Sequence, residues 1–289
     1  MILVTGAAGK TGRAVIKALL PYGEPVRALV RHTSQAEELR RVGVHQAIAG
    51  DMRNPSDLNR AYSGVRAAYH ICSNMNPDEI QIGQNAIEAA KNAGLQHFVY
   101  HSVLHPQVQS MPHHWNKLQV EALLFESGLT YTIMQPAAYM QNVLGYWSKI
   151  QAEGVYAVPY SNEARFSLVD LEDVALAVAR VIHESGQHDY AIYELCGTQV
   201  LSNADIARLV GTVIGRFVNA VALDQAEWEK NARSQGMSDF AVTTLLNMFE
   251  YYDQFGFIGN GNVLSWLLRR TPTRFEEFLS RSLNPTPSN

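Results

Sequence analysis

The sequence predicts an α/β protein: a doubly wound parallel sheet followed by a smaller, mainly helical C-terminal part. Three observations carry this. The chain opens Ile2-Leu3-Val4-Thr5-Gly6-Ala7-Ala8-Gly9-Lys10-Thr11-Gly12, and a helical apolar pattern (Ala14, Val15, Ala18, Leu19, Leu20) follows directly. Short apolar runs and amphipathic stretches then alternate to about residue 142, as successive βαβ units do. Past residue 143 the alternation loosens and helical patterns dominate.

The opening stretch reads as strand, tight turn and helix, with glycines at i, i+3 and i+6. Gly6 can take the φ that a tight turn needs. Gly9 lets the backbone approach a pyrophosphate, and Gly12 lets the helix pack close on the strand. The amides at the helix start, with Lys10 and Thr11 among them, then point at phosphate, where the helix dipole also favours negative charge.

The second strand, 25–31, ends on Arg31, followed by His32, Thr33 and Ser34 with no acid. An acidic residue there accepts from the 2′-hydroxyl of NAD, whereas a guanidinium donates charge-assisted bonds to the 2′-phosphate of NADP. NADP(H) is therefore expected in preference to NAD(H). A helix at 35–42 leads to strand 46–50 and then Asp51. That acid either accepts from the adenine amino group or starts the turn Arg53-Asn54-Pro55, and both readings stay open.

A helix at 56–62 and a strand at 67–72 follow. The loop Ser73-Asn74-Met75-Asn76-Pro77 lies at that strand's carboxyl end, the edge where ligands lie in parallel sheets. The helix at 79–92 carries a small-residue face including Gly83, Ala86, Ala89 and Ala90, and Gly94 ends it. Strand 97–103 comes next. Then His113-His114-Trp115-Asn116-Lys117 opens a helix to Ser127, and strand 130–134 runs into Gln135-Pro136-Ala137-Ala138-Tyr139. The cofactor domain is placed at 1–142, with a later strand and helix contributed from 165–195. Residues 143–289 form the substrate or lid part. There the pattern predicts a strand at 166–169, a helix at 171–183 capped by Asp170, a strand at 190–195 and a helix at 204–214 capped from Ser202. A long helical region, 226–255, breaks near Gly236. A last helix at 272–283 precedes a frayed tail, 284–289. The aromatic side chains of 226–255 are expected mainly in the core.

Of 289 residues, 47% are hydrophobic and 17% charged, enough apolar content for a core. The net charge of −4 with no basic run argues against direct nucleic-acid binding. Cys72 and Cys196 sit in apolar runs and read as buried free thiols of a reducing cytoplasm. No leader precedes the first strand and no apolar run approaches the roughly 18 residues of a membrane span, so a soluble cytoplasmic protein is expected. No metal site is expected, and the oligomeric state, a homodimer included, stays open.

The TGAAGKTG opening, the VRALVR strand, the GD after the third strand and the HFVYHSV strand together resemble the NmrA-like family of atypical short-chain dehydrogenases/reductases. So do a lysine ahead of VEALLFESGLTYTIMQPAAYMQN and the late GNGNVLSWLLRRTPTRFEEF. The likeness covers essentially the whole chain, and TYTIMQPAAYMQN is its more specific marker. It implies an NADP(H)-binding Rossmann domain with a small C-terminal domain over the nicotinamide. The family holds both reductases of quinones and other conjugated substrates and catalytically silent redox sensors. Carried over, Gly6, Gly9, Lys10, Thr11 and Gly12 would cradle the pyrophosphate, Arg31 the 2′-phosphate, and Asp51 with Met52 the adenine. Cys72, Ser73 and Asn74 would line the nicotinamide loop, Lys117 would bond its ribose, and Pro136, Ala137 and Ala138 would meet its carboxamide.

One departure bears on mechanism. In active classical members a tyrosine four residues before the lysine passes a proton to the carbonyl oxygen. Here Lys117 is preceded at that spacing by His113, and Ser102 stands near the assisting serine. His113 reads either as a proton donor or as an exposed loop histidine; Tyr139 reads either as a donor or as core. Without the tyrosine, hydride acceptors that delocalise charge, such as quinones and enones, suit the site better than simple ketones. The two function classes left open are an NADPH-dependent reductase of a small apolar or aromatic molecule and a non-catalytic NADP(H) sensor acting through protein partners.

Overall fold

The computed structural model describes residues 1–283; the tail expected at 284–289 lies outside them. The strands run β1 Ile2–Val4, β2 Val26–Val30, β3 Gln46–Ala49, β4 Ala67–His70, β5 His97–His101, β6 Tyr131–Pro136, β7 Val155–Val158, β8 Arg165–Phe166, β9 Ala191–Leu195, β10 Leu201–Ser202 and β11 Asn219–Ala222. The α-helices are α1 Lys10–Leu19, α2 Thr33–Arg41, α3 Pro55–Tyr62, α4 Glu79–Asn92, α5 Pro112–Phe125, α6 Trp147–Glu153, α7 Leu171–His183, α8 Asn203–Ile214, α9 Gln225–Ser234, α10 Asp239–Phe255, α11 Asn262–Leu268 and α12 Phe275–Leu283.

Seven strands form one sheet in the order β3-β2-β1-β4-β5-β6-β9, and the ladders from β3 through to β6 are parallel. The order reverses direction between β1 and β4, so their carboxyl ends flank the crevice where such sheets take ligands. Every residue of β1, β4 and β5 is buried, as befits strands covered by helices on both faces. Leu3, Leu29, Tyr62, Phe98, Tyr100, Val120 and Ile133 form the core around them. Gly83 lets α4 and α5 touch: a Cβ there would stand 2.6 Å from both methyls of Val120.

The chain divides into two compact units, Met1–Gln135 with Val174–Tyr193, and Pro136–Asp173 with the chain from Glu194 on. In the second unit β7 pairs with β11 in parallel and β8 with β10 antiparallel, around Tyr156, Val158, Ile206, Val210, Phe275 and Phe278. Asp170 accepts from the Glu172 amide at 3.1 Å at the start of α7, and Ser202 and Asp205 make a reciprocal cap on α8. Helical structure breaks between α9 and α10, where Gly236 has φ 81°.

Several expectations need correction. The strand at 166–169 is only Arg165–Phe166, with an isolated bridge from Val169 to Tyr139. Strands β7 and β11 and helices α6 and α11 had no sequence signal strong enough to be placed. They are short, and β7 and β11 are stabilised by each other across the long stretch of chain between Val158 and Asn219. The aromatic stripe is divided: Phe249 and Tyr252 are buried against Tyr160, while Phe255 is exposed.

Candidate active site

The turn after β1 is tight enough to exclude side chains. Gly6 has φ 55°, and a Cβ on it would lie 2.8 Å from the Ile71 carbonyl oxygen beyond β4. A Cβ on Gly12 would lie 2.5 Å from the Gly6 oxygen and 2.7 Å from Cα of Ala7. Both obstacles are backbone and cannot yield. Thr5 fixes the neighbouring strand end by accepting from the Ile71 amide at 2.9 Å and donating to its carbonyl at 3.2 Å. Helix α1 starts at Lys10 with no side-chain cap and no acid in its first turn. A glycine-floored turn leading to an uncapped helix end suits a pyrophosphate.

Arg31 is exposed just past β2, and Lys10 is exposed at the start of α1. Asp51 makes the turn: its carboxylate accepts from the Arg53 amide at 2.9 Å and pairs with the Arg53 guanidinium at 2.7 Å. Arg53, with a smaller contribution from Arg31, holds that carboxyl down at about 2. Met52 is half-buried against the sheet core. Past β4, Cys72 is buried while Ser73 and Asn74 are exposed. The Asn76 amide ties the loop by donating to Ser73 Oγ at 3.0 Å and to Cys72 Sγ at 3.5 Å.

Beside this edge lies a buried polar cluster. Lys117 Nζ on α5 donates to Glu79 Oε1 on α4 at 3.0 Å and to the His101 carbonyl at 3.3 Å. Tyr100, on β5, donates its hydroxyl to the same Oε1 at 3.0 Å. Burial and the Glu79 charge push the Tyr100 phenol well above its usual range, so it stays protonated on Glu79. Burial, then the Glu79 charge, push the Cys72 thiol up to about 12, which keeps it a thiol. Ser102 donates to Glu121, whose oxygens also accept from Gln135 at 2.9 and 3.2 Å; the Ser102 proton is therefore committed within the fold.

His113 is not an exposed loop residue. Pro112 begins α5, and a proline is preorganised for a first helical turn, so His113 lies within the helix; it is also buried. Burial, then the Lys117 charge, depress its imidazole to about 4, so it is neutral near pH 7; its Nδ1 has no hydrogen-bond partner.

The residues Gly6 to Gly12, Arg31, Asp51, Met52, Cys72, Ser73, Asn74, Ser102, His113 and Lys117 all belong to the first unit. Pro136, Ala137, Ala138 and Tyr139 belong to the second. There Ala137 donates its amide to the Leu195 carbonyl at 3.0 Å, and Tyr139 is half-buried beside Val169. Glu79 and Tyr100 escaped the sequence reading. Their only signal is an acid at a helix start and a polar hydroxyl inside an apolar strand, neither of which names a partner.

Among the described residues no helix is long and apolar enough to cross a membrane, and both cysteines are free and buried. The chain is 33% identical to an NAD(P)H azoreductase of Xenophilus azovorans over 254 residues, 86% of each protein. It is 28% identical to quinone oxidoreductase 2 of Escherichia coli K12 over 288 residues, 98% of this chain and 99% of that one. The crystal structure of the Escherichia coli NADPH-dependent quinone oxidoreductase complexed with NADPH superposes with a TM-score of 0.86 at 27% identity, covering 98% of this chain and all of that one. The NmrA-like family model matches residues 1–279, and with the sheet order and the glycine turn in agreement, the chain belongs to the NmrA-like family.

Proposed function

We propose that this chain is an NADPH-dependent reductase of small apolar or aromatic acceptors of the quinone or conjugated type. The observation that carries it is the turn from Gly6 to Gly12, which has no room for a Cβ at either end, and a buried Lys117 held on the carbonyl at the end of β5, both at the carboxyl edge of the sheet. The residues present fit an NADP(H) molecule. Gly6, Gly9, Lys10, Thr11 and Gly12 cradle the pyrophosphate, Arg31 holds the 2′-phosphate, and Asp51 with Met52 borders the adenine. Cys72, Ser73 and Asn74 would border the nicotinamide, and Lys117 would bond its ribose. When bound, that group supplies the hydride.

The remaining chemistry belongs to the chain and is spare in proton donors. Tyr100 is locked onto Glu79, Ser102 onto Glu121, and His113 is neutral. A substrate that delocalises the incoming charge can take its proton from water, whereas a simple alkoxide needs a strong donor. The names of the azoreductase and quinone oxidoreductase relatives agree with this preference. The two free thiols fit a reducing compartment, so the cytoplasm is the proposed location; direct nucleic-acid binding is not proposed, and self-association into a homodimer is compatible with this reading.

The test is NADPH oxidation followed optically against a panel of quinones, azo dyes and enones, with calorimetry of NADPH and NADH. Turnover with at least one quinone and tighter binding of NADPH are expected. Tight NADPH binding with no turnover on any acceptor would instead assign the chain to the redox sensors.

A further inference from the structure

We propose that Glu79 is a positioning residue for the reaction: it holds the Lys117 ammonium at the carboxyl end of β5, ready for a ligand hydroxyl. This rests on the cofactor reading above.

Glu79 is the first residue of α4 and is 4% exposed; Lys117, in the second turn of α5, is 7% exposed. A lysine has a long flexible stem and, with no anion inside, turns its ammonium out to water. A buried charge is tolerated only when paired and hydrogen-bonded. Glu79 supplies the pair at 3.0 Å. The Tyr100 hydroxyl, on the same oxygen, fixes the carboxylate in turn. Glu121, the other buried acid nearby, is occupied by Ser102 and Gln135.

The cluster does more than satisfy itself. An ammonium has three N–H donors. Glu79 and the His101 carbonyl take two, leaving one for a ligand. His113 and His101, kept neutral by burial and by Lys117, place no second positive charge beside the ammonium. A pair serving stability alone is replaceable by apolar residues at little cost, and it would have no reason to stop at the edge where ligands bind.

The experiment is a double-mutant cycle on the full chain: wild type, E79Q, K117A and E79Q/K117A. NADPH affinity is read by calorimetry, and single-turnover NADPH oxidation with 2-methyl-1,4-naphthoquinone gives the rate. If Glu79 acts only through Lys117, E79Q loses about 30- to 100-fold in rate, comparable to K117A, and the double variant matches K117A within about twofold. An E79Q protein within about threefold of wild type, or a double variant whose loss is the product of the single losses, overturns the proposal. Should E79Q fail to fold, the double variant against K117A carries the test, because both lack the ammonium and differ only at position 79. A wild type that ignores NADPH overturns the cofactor reading itself. A wild type that binds and turns over while E79Q matches it overturns the role of Glu79 alone.

Discussion

The glycine turn after β1 and the Glu79–Tyr100–Lys117 cluster beside β5 line the same sheet edge but are built in opposite ways. The turn works by omission: its geometry depends on missing Cβ atoms, and it offers backbone amides whose polarity does not titrate. The cluster works by side chains, with an acid, a phenol and an ammonium desolvated together. A site of backbone tolerates any pH and no added atom. A site of buried charges is intolerant of losing one partner.

The largest effect expected from this contrast is at Gly12. Its Cβ would meet fixed backbone at 2.5 Å, so Gly12→Ala should weaken NADPH binding more than about 100-fold. It should also destabilise the protein by about 1–3 kcal/mol through overpacking, as calorimetry and thermal melting will read. Unchanged NADPH affinity would mean that the turn is structural only.

Arg31 adds a side-chain charge at the end of β2. Arg31→Asp should weaken NADPH by about 10- to 100-fold, the worth of charge-assisted bonds to phosphate, and leave NADH nearly unchanged. Equal losses for the two cofactors would remove Arg31 from the 2′-phosphate.

The response to acid is an effect on stability, not on binding. Burial lowers the imidazoles of His70, His97 and His113 to about 4 each. In the unfolded chain they take up protons at about 6.5, so the unfolded state binds more protons below that pH. Their contribution is thus complete above pH 6.5 and is lost as pH falls through about 4, by up to about 3 kcal/mol for each histidine. Chemical denaturation between pH 7 and pH 4 should show this slope, and His97→Asn should flatten it. A flat wild-type profile would contradict the buried neutral histidines.

The smallest effect is on catalysis at His113. A neutral imidazole has no proton to spare near pH 7, so His113→Ala should change turnover by less than about tenfold, and the shape of the rate profile between pH 6 and 8 should persist. Loss of a titrating limb in that variant would restore His113 as the proton donor.

Much of this architecture was legible in the chain itself. Gly6, Gly9 and Gly12 sit within two helical turns, and strand, turn and helix are local consequences of residue type. The capping of α7 by Asp170 and of α8 by Ser202 is local in the same way. The place of Arg31 at a strand end could be read because the strand before it is recognisable. His113 was misread as potentially exposed because helix periodicity around it is weak and its burial is imposed by neighbouring elements rather than by its own helix.

What residue order alone determined, then, was every feature settled within a few residues: the glycine turn, the helix starts, and the alternation that builds a parallel sheet. Tertiary structure decided which distant side chains meet. Glu79 and Lys117 are 38 positions apart, and only the packing of α4 on α5, allowed by Gly83, makes them partners. The reason is range: backbone sterics and hydrogen-bond periodicity act along the chain, whereas desolvation and charge pairing act through space and have no local signature until the fold has closed.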